Sequence, residues 1–334
     1  MLLSTHERYL DHLTRASHPE RPARLAAVVG GIRTAGLGDA LVPVTPRPAT
    51  KDELALVHPL DHLDRLEAFC ADGGGSLDPD TAVSAGSWDA AVLAAGAGLD
   101  AVERLERSEA VAAFCAVRPP GHHATPRRFM GFCLLNNVAV VAAALAAAGE
   151  RVLVVDYDAH HGNGTQDVFW TDERVAYVSL HQWPLYPGTG ALGEVGAGPG
   201  TGTTLNVPLP AGATGDVYLR AVDELVAPLA GRFSPTWLLL SAGFDAHRAD
   251  PITGLGLSAG DYGPMTARLA ALVPAGRVVA FLEGGYDLDA LATSAAACVA
   301  ALAGEELDTE RPTSGGPGTE AVTAARLVHE RLER

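Results

Sequence analysis

A chain of 334 residues with 48% hydrophobic side chains can bury a substantial core, as one large α/β domain or two smaller ones. Its 40 acidic against 24 basic residues leave a formal charge of −16, which argues against sequence-independent nucleic-acid binding, because neutralising phosphates needs basic surface. No apolar run reaches membrane-spanning length. Cys70, Cys115, Cys133 and Cys298 are too scattered for a disulfide framework or a cysteine-rich zinc site, so reduced thiols are expected.

The first residues, Met1-Leu-Leu-Ser-Thr-His-Glu-Arg8, lack the charged-then-apolar order of a secretion signal, and a soluble cytoplasmic protein is expected. Residues 88–105 read as a helix with Ser87 at its N-cap, followed by a strand over 111–117. A helix over 135–148 ends at Gly149, where a C-terminal glycine belongs, and strands follow over 152–155 and 175–180. Next come a helix over 216–229, a strand over 237–241 and a helix over 259–272 capped by Ser258. The series closes with a strand over 278–282 and helices over 288–302 and 320–332. Alternation of this kind predicts a mainly parallel sheet with helices on both faces. The glycine-rich stretches 73–76 and 188–202 read as loops, not phosphate loops, because no Gly-Lys-Ser/Thr follows. Residues 305–318 read as a polar surface connection.

Each predicted strand runs into reactive or turn-forming residues. Strand 111–117 leads into Arg118-Pro-Pro-Gly-His-His123, and 152–155 into Asp156-Tyr-Asp-Ala-His-His-Gly-Asn-Gly-Thr-Gln166. Strand 175–180 leads into His181 and on to Tyr186-Pro-Gly-Thr-Gly190. Strand 237–241 leads into Ala242-Gly-Phe-Asp-Ala-His247, and 278–282 into Glu283-Gly-Gly-Tyr286. In open α/β sheets ligands bind beyond the carboxyl ends of the strands, so these distant segments are expected to converge on one crevice.

Asp158 and His160 lie two residues apart, so in extended backbone both side chains leave on the same side, with Asp156 on that side too. A carboxylate and an imidazole suit a divalent metal such as zinc. Asp245 is the candidate third ligand, and two carboxylates with one imidazole leave a position open for water and substrate. Fe(II), Co(II) or Mn(II) would fit the same ligands, since affinity does not select uniquely among them. The adjacent His122 and His123 offer a general base and an electrostatic partner, and Asp156 and Asn163 are suitable acceptors to fix their tautomers. Tyr286, after two glycines, can bring a phenol to a tetrahedral oxyanion. Phe132 and Tyr186, in glycine-flanked segments, are candidate walls of an apolar channel, whereas Trp183 could be mere loop packing.

Together these residues resemble the histone deacetylase family, most closely its class II members and the bacterial histone-deacetylase-like amidohydrolases. The likeness rests on His18-Pro-Glu-Arg-Pro22 with Arg24-Leu25, Arg118 to Ala124, Gly131-Phe-Cys-Leu-Leu-Asn-Asn137 and Asp156 to Gln166. It continues through Tyr186 to Gly190, Ser241 to Asp245 and Leu282-Glu-Gly-Gly-Tyr286, in family order from about residue 18 to about residue 290. The resemblance implies an α/β arginase/deacetylase-like fold in a single domain over residues 1–334, with about eight mainly parallel strands and helices on both faces. It implies zinc on Asp158, His160 and Asp245, His123 as general base and then acid, and His122 stabilising charge. Asp156 would partner His122, Asn163 would partner His123, and Tyr286 would stabilise the oxyanion. The asparagine at 163 resembles the class II form, where class I relatives carry a second aspartate. Gly131 and Phe132 would line an acyl-lysine tunnel with Tyr186 opposite. The family also binds structural potassium, here implied around Asp156, Asp158, His160, Ser179 and Leu180, with a second site near Phe169, Asp172 and Val175.

The implied reaction is metal-assisted amide hydrolysis, releasing acetate and a free amine. The expected substrate is an acetylated lysine side chain, with acetylpolyamines as the alternative. In one polyamine-selective branch an acid stands seven positions after the last metal ligand, where this chain has Ile252. Asp250 and the acidic 72–80 region are alternative sources of rim charge. A catalytically dead acyl-lysine-binding module would have lost a ligand, a histidine or the tyrosine, and none is missing. A binuclear manganese hydrolase of the arginase kind would want further acids, whereas His161 and His247 stand at the positions an Asp-x-Asp pattern would fill.

Overall fold

The computed structural model describes residues 1–332. In chain order the strands are β1 (Leu2–Ser4), β2 (Val42–Val44), β3 (Gly74–Ser76), β4 (Ala82–Ser84), β5 (Ala113–Cys115), β6 (Val152–Asp156), β7 (Val175–Gln182), β8 (Thr204–Leu209), β9 (Trp237–Ala242) and β10 (Val278–Leu282). The helices are α1 (Ala23–Thr34), α2 (Lys51–Leu54), α3 (Leu60–Ala71), α4 (Ser87–Glu106), α5 (Asn137–Ala147), α6 (Asn163–Phe169), α7 (Gly215–Ala221), α8 (Ala227–Phe233), α9 (Ala259–Ala270), α10 (Leu288–Ala303) and α11 (Thr319–Leu332).

The main sheet has eight strands in the order β2-β1-β5-β10-β9-β6-β7-β8. Every pairing in it is parallel. The small β3–β4 pair is antiparallel. Strands β6, β9 and β10 are buried along their whole length, as continuous apolar runs such as Val152-Leu-Val-Val155 demand. Helices α9 and α10 pack on each other and α1 on α10, while α4 packs against α5. No helix among the described residues is long and apolar enough to cross a membrane. The cysteines Cys70, Cys115, Cys133 and Cys298 are all buried and free.

The structure revises several expected elements. Strand 111–117 contracts to β5, and Ser87 is the first residue of α4, not its cap. Its hydroxyl instead accepts the Ser84 N–H at 2.8 Å and meets His12 Nδ1 at 2.7 Å, bracing the turn before the helix. The helix expected over 216–229 is α7, a π-turn over Val222–Val226 and α8, which ends at Phe233. Pro228 has no N–H to donate, and the widened turn before it absorbs that loss. Ser258 does cap α9, with Asp261 Oδ2 accepting its backbone N–H at 2.8 Å. Strands β1 and β2 escaped prediction because three residues carry no periodicity. Strand β8 escaped because Asn206 and Pro208 interrupt it, a composition an edge strand tolerates. Helix α1 contains Gly30 and Gly31, and α3 is rich in charge. The connection over 305–318 does run on the surface. It is fastened by Thr313 N and Oγ1 to Asp261 at 2.9 and 2.8 Å and by Gly315 N to Asp216 at 3.0 Å.

Gly96 in α4 shows how closely a surface segment is laid on the core. A Cβ there would lie 2.0 Å from Arg47 O and 2.5 Å from Ala49 N, both backbone atoms that cannot swing aside. Gly96→Ala gains about 1 kcal/mol of helix propensity but must push the 47–49 segment away. We expect a net loss of about 2 kcal/mol, measured as a fall in the denaturant midpoint with an unchanged m-value.

Candidate active site

Strands β5, β10, β9, β6 and β7 are neighbours in the sheet, so their carboxyl ends deliver the expected segments to one place. Asp158, His160 and Asp245 offer ligand atoms that all lie within 4.8 Å of one another, and all three residues are buried. His160 Nδ1 is 3.1 Å from Asp158 Oδ1 and 3.0 Å from Asp245 Oδ2. The remaining carboxylate oxygens are held by backbone: Gly284 N donates to Asp158 Oδ2 at 2.7 Å and Ala159 N to Asp245 Oδ1 at 2.8 Å.

This donor set fits a divalent cation. Burial pushes Asp245 up to about 7, and the charge of Asp158 adds to the rise. Burial works against protonation of His160, yet its hydrogen bonds to Asp158 and Asp245 raise it to about 10. Two buried carboxylates thus demand a positive charge between them, and an imidazolium supplies it without metal. The same Nδ1, deprotonated, would present its lone pair to a cation. The cradle is cut from glycine. A Cβ on Gly284 would lie 2.3 Å from Asp245 Oδ2 and 2.6 Å from Asp158 Oδ2, and one on Gly243 would lie 2.1 Å from Asp158 Oδ2.

The histidine pair stands beside this cluster, with ring centroids 4.0 Å apart. His122 Nδ1 lies 2.9 Å from Asp156 Oδ2, which also accepts from the Tyr177 hydroxyl at 3.1 Å. His123 Nδ1 lies 2.8 Å from Asn163 Oδ1. These environments drive the two imidazoles apart. Burial opposes a charge on His122, but Asp156, Asp158 and Glu283 outweigh it and hold its pKa well above 6.5. Burial and then the charges of His122 and His160 hold His123 well below 6.5. One ring is a fixed cation and the other a neutral acceptor, the pattern that separates acid from base roles.

Aromatic residues frame the approach. Tyr186 meets His123 edge-on at 5.2 Å between centroids, and Phe132 meets Tyr286 edge-on at 5.8 Å. Phe132 has φ +68°, a left-handed conformation unusual for a bulky residue. It is held there by Thr81 Oγ1, which accepts its N–H at 3.1 Å, while Asp80 Oδ1 accepts that of Gly131 at 3.1 Å. Gly131 itself cannot be larger, since a Cβ would lie 2.3 Å from His123 Cδ2. Tyr286 is nearly buried, with the Arg24 guanidinium 4.9 Å above its ring.

Several residues fall elsewhere than the sequence suggested. Asp250 is no rim charge: it is buried, and its carboxylate accepts Tyr286 N at 2.7 Å and Ile252 N at 3.1 Å. Ile252 is therefore beside Tyr286, and its side chain is partly exposed. Ser179 and Leu180 lie on β7, where Ser179 pairs in register with Asp156 and its hydroxyl meets His181 Nδ1 at 2.9 Å. Phe169, Asp172 and Val175 sit at the opposite end of β7, and Arg174 already grips the Asp172 carboxylate at 2.6 Å. His161 is engaged by Thr189 and Gln166 at 2.8 and 3.1 Å, and His247 lies 3.4 Å from Glu310, so neither joins the metal cluster.

Glu283 was missed as a functional residue. Its Oε2 accepts the N–H groups of Gly121 and His122 at 2.7 and 3.2 Å, pinning the histidine turn to the end of β10. The available signal was an ionisable side chain directly after a fully apolar strand. Glu283, His122 and Cys133 also bring ligand-type atoms within 4.8 Å. They make a poor metal site, because the Glu283 oxygen is taken by backbone, His122 Nδ1 by Asp156, and burial keeps Cys133 a thiol. Arg24 was quoted only as part of a motif. Its Nε donates to Gly285 O at 2.7 Å, so it braces the turn that carries Tyr286.

Gly284→Ala would place a methyl group among the carboxylates and displace them without removing any ligand residue. We expect zinc affinity to fall ~10- to 100-fold, by analogy with disruption of groups supporting metal ligands. Competition with a chromophoric chelator measures it.

Residues 18–302 match the histone deacetylase domain. The chain is 41% identical over 313 residues to a probable deacetylase of Archaeoglobus fulgidus, covering 92% of this chain and 87% of that protein. It is 42% identical over 323 residues to histone deacetylase 15 of Arabidopsis thaliana, covering 95% of this chain and 58% of that protein. It is 38% identical over 278 residues to a histone deacetylase-like amidohydrolase of Pseudomonas aeruginosa, covering 81% of this chain and 73% of that one. The crystal structure of the HDA15 HD domain superposes with a TM-score of 0.91 at 38% identity, covering 99% of this chain and 94% of that one. Shared sequence and shared fold lead to one conclusion: the chain belongs to the histone deacetylase family of amidohydrolases.

Proposed function

We propose that this protein is a zinc-dependent deacetylase that hydrolyses the amide of acetylated lysine side chains, giving lysine and acetate, with the whole chain as one catalytic domain. The observation that carries the reading is the buried Asp158–His160–Asp245 cluster set against a histidine pair of opposite character. Asp158, His160 and Asp245 would hold the zinc ion, with Fe(II) or Co(II) as substitutes on the same ligands. When bound, the metal supplies Lewis-acid polarisation of the acyl carbonyl and acidifies water.

The protein's own groups do the rest. Asn163 Oδ1 accepts from His123 Nδ1, which keeps the proton on that nitrogen and leaves Nε2 free as a base. His123 takes a proton from the attacking water at Nε2 and later returns it to the departing amine. His122, its charge held by Asp156, stabilises the negative charge that develops. Tyr286 donates its hydroxyl proton in a hydrogen bond to the oxyanion. Phe132, Gly131 and Tyr186 flank the acyl-lysine stem and keep bulk water out. Potassium would sit near Asp156, Asp158, His160, Ser179 and Leu180, whose carboxylate, hydroxyl and carbonyl oxygens suit a hard cation. At Phe169, Asp172 and Val175 a second ion would depend on backbone oxygens, because Arg174 occupies the Asp172 side chain.

Lysine is favoured over polyamine by the loop after β9. Its acid, Asp250, is turned inward, and the exposed position is Ile252, which cannot hold a distant ammonium. Asp78 and Asp80 favour the second reading, an acetylpolyamine amidohydrolase, because both act on Tyr186 electrostatically at the approach. We expect kcat/KM of the zinc-loaded protein to be at least ~10-fold higher on an acetyl-lysine peptide than on an acetylpolyamine, about 1.4 kcal/mol of discrimination. A preference for the polyamine would keep the chemistry and overturn the substrate. Tyr286→Phe is expected to lose ~100- to 1,000-fold on either substrate.

The pH dependence follows from His123. A base whose pKa is depressed stays neutral further into acid, so activity is lost only as pH falls below 6.5, through the His123 pKa. Asn163→Asp places a carboxylate against Nδ1–H, favours the imidazolium and raises that pKa. The acid limb of kcat/KM is therefore expected to move upward by about one pH unit. An unmoved limb would assign the titration to another group.

A further inference from the structure

Tyr286 follows Gly284 and Gly285, so its neighbours in the chain do little to fix it. Gly285 has φ +117°, and no regular element begins until α10 at Leu288. Contacts from other segments hold the turn, among them Phe244 N, which donates to Gly284 O at 3.0 Å. Asp158 Oδ2 takes the N–H of Gly284, Arg24 Nε donates to Gly285 O, and Asp250 Oδ2 takes the N–H of Tyr286 itself at 2.7 Å. The other Asp250 oxygen accepts from Ile252 N at 3.1 Å. One carboxylate thus ties Tyr286 to the loop between β9 and α9.

That loop is itself cross-braced by hydrogen bonds. Asp250 N donates to His247 O at 2.9 Å, Arg248 N to Leu257 O at 2.8 Å, and Leu257 N to Ala246 O at 3.1 Å. Gly254 N reaches Gln182 Oε1 at 2.7 Å, which joins the loop to the end of β7. Thr253 Oγ1 bonds back to Asp245 O. Asp250 is buried, and its carboxylate is turned to the backbone of Tyr286 and Ile252. Burying a carboxylate is costly unless its oxygens are used, and here both are used on backbone N–H groups.

We infer that Asp250 is a positioning residue for the hydrolysis: it holds the Tyr286 backbone so that the phenol hydroxyl stands where the oxyanion forms, and it links that tyrosine to Ile252 on the partly exposed loop. The inference rests on the deacetylase reading for what Tyr286 does, and on geometry alone for what Asp250 holds. A displacement of about 1 Å at such a group costs ~100-fold in rate. Asp250→Ala should therefore lower kcat by ~100-fold and leave KM within about twofold, because the lost contact acts in the transition state.

The test is a double-mutant cycle on the zinc-loaded full chain with an acetyl-lysine peptide, joined to hydrogen–deuterium exchange across residues 284–287. Asp250→Ala, Tyr286→Phe and the double variant are compared, with zinc content measured for each. If Asp250 acts through the tyrosine hydroxyl, Asp250→Ala costs little once that hydroxyl is gone. Exchange at 284–287 should rise in Asp250→Ala with zinc content unchanged. Asp250→Asn retains one acceptor and should fall between wild type and alanine in both readouts, which keeps the test open should the alanine variant not fold. Equal loss in both Tyr286 backgrounds, loss of zinc, or unchanged exchange at 284–287 overturns the inference. A wild-type protein inactive on acetylated amines overturns the deacetylase reading instead, and the exchange measurement still decides whether Asp250 holds Tyr286.

Discussion

The carboxylates of Asp156, Asp158, Asp245 and Glu283 are all buried at the carboxyl ends of the central strands, and the rest of the site is arranged around that concentration of negative charge. In low dielectric such groups must be paired, hydrogen-bonded or protonated. The protein meets the demand with His122 and His160 and with backbone N–H groups of Gly121, Ala159 and Gly284. Each compensating contact fixes something functional. Asp156 orients His122, Glu283 pins the histidine turn, and Asp158 and Asp245 converge on one imidazole nitrogen. A divalent cation is the natural completion of that balance, and no other cluster among the described residues offers a comparable one.

The parallel sheet makes this concentration possible. Parallel neighbours place their carboxyl ends on the same edge, so loops from β5, β10, β9, β6 and β7 meet although they are far apart in the chain, as with Gly121 and Glu283, 162 residues apart. Glycine then lets backbone come close enough to bond the carboxylates. At Gly131, Gly243 and Gly284 a single methyl group would enter the site. The left-handed Phe132 is strain of the kind found where a wall must be presented at a set angle, and Thr81 and Asp80 hold it.

Much of this was legible in the order of residues. Strands β6, β9 and β10 announced themselves because burial on both faces requires unbroken apolar runs, and Asp158 with His160 because extended backbone sends alternate side chains to one side. The need of a buried imidazole for an acceptor pointed to Asp156 and Asn163, while their pairing with His122 and His123 was implied by the family resemblance. Strands β1 and β2 were illegible because three residues sustain no pattern, and β8 because a prolyl edge strand resembles a loop. The interrupted helix over 215–233 was illegible because apolar spacing does not reveal a turn that widens ahead of Pro228.

The chain's sequence by itself determined the chemistry available: which strand ends carry ligands, which imidazoles stand together, and which phenol follows two glycines. These are local facts, set by covalent order and backbone periodicity. Only the tertiary structure decided which buried polar group serves which neighbour. Asp250 reads as an exposed acid in a polar loop, yet it is folded inward onto Tyr286 and Ile252, and Glu283 reads as the end of a strand, yet it holds Gly121 and His122. The reason is physical. A carboxylate's role depends on its burial and on the N–H groups within about 3 Å of it, and those come from segments that only folding brings near.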